Sequence, residues 1–188
     1  MKKVVVLVII LAVAGGGYYF LNKEGSNIVG NESASQAAGG VSSGGKYKLV
    51  DACSLVTLDD AKSQLGEAAK QGNTSAGKAS SDDVVESNCV YYVTSTTTSA
   101  FRTVSVLSRT AKTKDGAEKN RNQFRDLKPP GVVDVADLGD AAFWNPETGE
   151  MNVLKGDNWY KITVGSTKIS DRKQSDAHAF VTSIQSKL

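Results

Sequence analysis

An unbroken apolar run from Val4 to Leu21 constrains this chain more than any other feature. It holds 18 residues and no charge. At about 1.5 Å rise per residue, a helix of that length spans roughly 27 Å, close to the hydrocarbon thickness of a bilayer. Lys2 and Lys3 precede the run, whereas Lys23 after it is balanced by Glu24. The positive-inside bias then keeps the start of the chain in the cytoplasm and sends the bulk outside. Tyr18, Tyr19 and Phe20 fall at the outer end, where amphipathic rings favour the interface. Gly15-Gly16-Gly17 would weaken a soluble helix. Residues 1–24 are therefore read as a single-pass signal anchor and transmembrane helix. The alternative is a secretory signal cut near Ala12-Val13-Ala14, which leaves the rest secreted. A lipoprotein would need a Cys just after the run, and the first Cys is Cys53.

Residues 25–46 contain six Gly, five Ser and almost no bulky apolar side chain. Such a stretch buries too little to offset its ordering entropy, so it reads as a flexible linker. Its expected end-to-end distance is on the order of 26 Å. Residues 47–188 are long enough for one extracytoplasmic domain with a proper core. From Tyr47 onward, 18 Lys and Arg face 18 Asp and Glu, so the formal +2 belongs to the anchor and linker. A neutral domain lacks the basic footprint of a nucleic-acid binder, and nucleic acid is excluded as a partner.

Two cysteines are present, Cys53 and Cys89. In an oxidising compartment such a pair is joined, and a structural disulfide is expected. It would pin the base of Glu67 to Ser87, a stretch rich in Gly, Ser, Ala and Asn that reads as a loop. Neither cysteine sits in a C-x-x-C, which argues against redox chemistry. A metal site would be a ligand short with His178 as the sole histidine, so no metal and no cofactor are expected.

Thr57 can cap a helix from Leu58 to Leu65, with Gly66 as its stop. Cys89–Thr94 and Phe101–Arg109 are rich in Val, Tyr, Phe and Thr and read as strands, joined by a Ser/Thr connection at Ser95–Ser99. Asp115–Leu127 reads as a helix with a thin stripe of Ala117, Phe124 and Leu127, ended by Pro129-Pro130-Gly131. Four short strands follow: Val132–Val135, Ala141–Asn145, Met151–Lys155 and Trp159–Gly165. In the last, Tyr160, Ile162 and Val164 alternate with Lys161 and Thr163, the period of a sheet with one wet face. A closing helix spans Gln174 to Lys187, striped by Ala177, Phe180, Val181, Ile184 and Leu188. The order α-β-β-α-β-β-β-β-α predicts an α+β fold, an antiparallel sheet covered by helices on one face.

Three short motifs stand out: Asp51-Ala-Cys53-Ser-Leu55-Val-Thr57-Leu-Asp59-Asp-Ala61 followed by Gly66, Asn88-Cys89-Val-Tyr91-Tyr, and Asp137-Leu-Gly139-Asp140-Ala-Ala-Phe143-Trp144. Together they resemble a family of secreted, mostly lipid-anchored bacterial envelope proteins of unknown function, best represented in actinobacteria. The resemblance covers Asp51 to the C-terminus. It implies an α+β domain with one disulfide and carries over no catalytic residue. This chain departs from that family in having a hydrophobic anchor and no lipid-attachment Cys.

Few residues invite a chemical role. Trp144 and Trp159 are candidates for lining a ligand groove between sheet and helix, although strand aromatics are commonly core. Lys119, Arg121 and Arg125 belong to a basic stretch from Arg109 to Lys128 that is a candidate contact for an anionic surface. Asp82, Asp83 and Glu86 lack the spacing and Gly of a calcium loop. No G-x-S-x-G, H-E-x-x-H or other nucleophile motif occurs, so no catalytic residue is assigned. The expected function is a non-enzymatic, membrane-tethered accessory domain of the bacterial envelope, whose partner is an envelope protein or a small apolar ligand. Two rivals are a pilin-like subunit of a surface or secretion assembly, and a cryptic hydrolase using carboxylates such as Asp137, Asp140 and Asp157.

Overall fold

The computed structural model describes residues 47–94 and 101–188. The anchor, the linker and the Ser95–Ser99 connection lie outside the described residues. No helix among the described residues is long and apolar enough to cross a membrane.

The described residues open with two short helices, α1 (Ala52–Leu55) and α2 (Leu58–Leu65). Asp51 caps α1 by accepting from the Cys53 amide at 3.0 Å. Thr57 and Asp60 form a capping box on α2: the Asp60 amide donates to Thr57 Oγ1 at 3.2 Å, and the Thr57 amide donates back to Asp60 Oδ2 at 2.8 Å. That exchange satisfies two amide groups that a helix start would otherwise leave orphaned.

Eight strands then build one antiparallel sheet: β1 (Lys70–Gln71), β2 (Ser75–Ala79), β3 (Val84–Thr94), β4 (Phe101–Ala111), β5 (Val133–Val135), β6 (Ala141–Asn145), β7 (Glu150–Lys155) and β8 (Asn158–Ser166). Their order in space is β1-β3-β4-β8-β7-β6-β5, with β2 also on β3. β3 and β4 pair along their whole lengths, from Val84 opposite Ala111 to Thr94 opposite Phe101. Helix α3 (Lys114–Asp126) leaves β4, and α4 (Gln174–Ile184) follows β8 and ends in a 3-10 turn at Gln185–Lys187.

The larger core lies on one side of the sheet, here the front. Cys89 and Tyr91, Val104 and Val106, Met151 and Val153, and Tyr160, Ile162 and Val164 meet Leu55, Ala61 and Leu65 of α1 and α2, and Phe180, Val181 and Ile184 of α4. The back carries a second, smaller core, in which Phe124 of α3 meets Phe143 and Trp159. The helices therefore cover both faces, which corrects the expectation of one. The reason lies in β6 and β8: Phe143 and Trp159 alternate with front-facing Ala142, Trp144 and Tyr160, and all five are buried. Strands apolar on both sides need cover on both sides. The stretch read as a loop also holds β1 and β2, and η1 (Ile169–Asp171) precedes α4.

Candidate functional site

The disulfide is present. Cys53 and Cys89 are joined with Cα atoms 5.0 Å apart, tying α1 to the middle of β3. The surrounding bonds place Cys53 for this. The Asp51 carboxylate accepts from both the Cys53 amide and the Ser87 hydroxyl, at 3.0 and 3.1 Å, and Ser87 Oγ accepts from the Ala52 amide at 2.9 Å. Tyr91, two residues beyond Cys89, donates its hydroxyl to the Val56 carbonyl at 2.9 Å. Burial pushes the Tyr91 phenol above its ordinary value, so it stays a neutral donor. The Asp-x-Cys motif thus does structural work in the front core.

The two tryptophans are not brought together. Trp144 points into the front core and Trp159 into the back one, so they share no groove. The Trp159 indole donates to Asn152 Oδ1 at 3.1 Å, with Arg109 and Lys161 on the ring at 5.4 and 4.7 Å. The basic helix is also engaged internally. Lys119 bonds Asp83, Arg121 bonds Asp157 at 2.7 Å, and Arg125 meets Asp126 at 3.1 Å. Asp140, one of the hydrolase candidates, accepts from the Gly156 amide at 2.6 Å. Asp83 and Glu86 pair with Lys119 and Arg109. Among the described residues no group of three metal-ligating side chains converges. His178 lies half-buried on α4, its carbonyl accepting from the Thr182 hydroxyl at 2.9 Å.

The concavity worth a role lies elsewhere, at the end of the back face that α3 does not reach. It is an open groove of about 620 Å³. Asn88, Val90 and Tyr92 of β3 and Phe101 and Thr103 of β4 line it, all facing the back by strand alternation. Gln71, Gly72 and Asn73 form a wall, held along β3 by the Gly72 amide donating to the Val90 carbonyl at 2.7 Å. Thr167 joins from beyond β8, its amide donating to the Phe101 carbonyl at 2.8 Å. The Tyr92 and Phe101 rings meet edge to face with centroids 6.4 Å apart, and Phe101 stays 44% exposed. Among the described residues no charged side chain lines the groove. Sequence reasoning did not find it, because its residues come from separate segments and three of them sit in the stretch read as a loop.

Comparison with models of known protein families, with curated proteins and with solved structures finds no match to this chain.

Proposed function

We propose that this chain is a membrane-tethered accessory domain of the bacterial cell envelope, working outside the cytoplasm and binding its partner through the open groove on the back face. The observation that carries this reading is the Cys53–Cys89 disulfide, since such bonds persist in oxidising compartments and are rare in the cytosol. The apolar run Val4–Leu21 behind Lys2 and Lys3 supports the same placement. The short motifs that resemble those of secreted envelope proteins agree with it. The groove supports a binding role, because it is a concave surface that sets the Tyr92 and Phe101 rings among a few polar side chains.

A pair of fusions tests the placement. Alkaline phosphatase joined after Leu188 in a bacterial host should be active, because that enzyme needs an oxidising compartment to fold. A green fluorescent protein fusion at the same point should be dark. The protein should also stay in the membrane pellet through carbonate washing. A dark phosphatase with a bright fluorescent fusion would overturn the reading.

A further inference from the structure

We propose that the back-face groove is a binding site for a neutral oligosaccharide. This rests on the envelope reading above and names the ligand class of that groove. The lining selects by elimination. Its nine residues include no Asp, Glu, Lys, Arg or His, in a chain of which 22% is charged. An ionic ligand would lose its hydration there and find no counter-charge. A purely apolar ligand fares no better. The groove is open, whereas small apolar ligands bind where most of their surface leaves the water. It would also cover the polar side chains of Asn73, Asn88 and Thr167 without pairing them, whereas Gln71 and Thr103 already donate to Cys53 Sγ and the Gly165 carbonyl.

A neutral sugar fits both halves of the lining. Each amide side chain offers two donors and an acceptor, and each hydroxyl offers both, which matches the mixed donor and acceptor character of sugar hydroxyls. Among the described residues the amides of Asn73 and Asn88 make no hydrogen bond within the protein, so they are free for a ligand. The Tyr92 and Phe101 rings supply apolar faces on which the C–H face of a pyranose can stack.

Titration calorimetry of the full-length oxidised protein in a sugar-free detergent tests this, with cellohexaose, maltohexaose and chitohexaose as probes and neutral, water-soluble cyclohexanol as the apolar comparison. At least one oligosaccharide should bind. Asn73→Ala, at an exposed position with no internal bond, should weaken it severalfold while leaving the melting curve unchanged. Tyr92→Ala should weaken it about tenfold. No binding of any of the three at millimolar concentration would overturn the assignment. So would binding that neither variant weakens, or cyclohexanol binding that both variants weaken. None of these failures touches the fusion experiment, so loss of the ligand and loss of the envelope location are read separately.

Discussion

Gly139 shows how much of this chain's unusual sequence serves the backbone. It sits at φ +61°, two residues after Asp137 at φ +64°, in the turn that feeds β6. A Cβ at Gly139 would overlap the Leu154 carbonyl oxygen and the Val153 side chain. The tight turn tucks Leu138 into the front core and lets the Asp140 amide donate to the Leu154 carbonyl at 2.7 Å. Gly139→Ala should therefore destabilise the protein by about 2–4 kcal/mol in urea denaturation. Asp83 offers a second test. Bonds from Lys119 and Thr113 hold its carboxyl below the usual Asp value, and Asp83 in turn raises Lys119. The sign follows from each shift. The carboxylate's contribution is present above the unfolded Asp value of about 3.9 and is lost as pH falls through the lower folded one. The ammonium's is present below about 10.4 and is lost as pH rises through the higher folded value. Melting temperature against pH should thus fall less steeply on the acid side for Asp83→Asn than for the parent protein. Equal slopes would remove the pair from the account. At this scale the sequence was a poor guide to ligand residues. Trp144 and Trp159 look alike on paper, but one is even and the other odd in strands that bury both sides, and that parity sends them to opposite cores.

Elements were far more legible than sites. The Val, Tyr, Phe and Thr content of β4, the period of two in β8, the Gly and Asn turns of β6 to β8, and the cap of α2 place elements within about two residues of where they lie, whereas β3, expected from Cys89, begins at Val84 inside the stretch read as a loop. The misses have physical causes. β2, Ser-Ala-Gly-Lys-Ala, has no β-forming side chain, and its strand character comes from backbone pairing to β3. α3 disguises its buried stripe, because Gly116 and Asn120 occupy positions where a core helix would show apolar groups. Gly116 is required by close approach, since a Cβ there would run into the Asp83 backbone. Asn120 is fully buried and donates its amide to the carbonyls of Arg109 and Asp157 at 3.0 and 2.9 Å. Leu127, counted into the stripe from the sequence, is 61% exposed. The side of the sheet on which α3 lands is not written in α3 at all but in Phe143 and Trp159 opposite it. Phe124→Ala removes the ring that meets both, at 5.0 and 6.2 Å, and should cost about 3–4 kcal/mol. Amide exchange should rise in α3 before it rises in α4, because α4 packs into the other core.

For the molecule as a whole, the disulfide joins residues 36 apart in sequence and encloses α2, β1 and β2. Closing a loop of that length in the unfolded chain is worth roughly 3.8 kcal/mol on the chain-entropy account. Reduction and alkylation should lower the denaturant midpoint accordingly and raise the slope, because the unfolded chain without the cross-link exposes more surface. A loss below about 1 kcal/mol would mean that the front core holds α1 without help. The two-faced sheet has one more consequence. With the chain's only tryptophans buried on opposite sides of it, each core carries its own intrinsic fluorophore. Single-tryptophan variants, Trp144→Phe and Trp159→Phe, would split the emission into two independent channels. Because both layers lean on the same strands, the two melting traces should coincide. A Trp159 trace that moves first would mean that the back layer peels away while the front still holds.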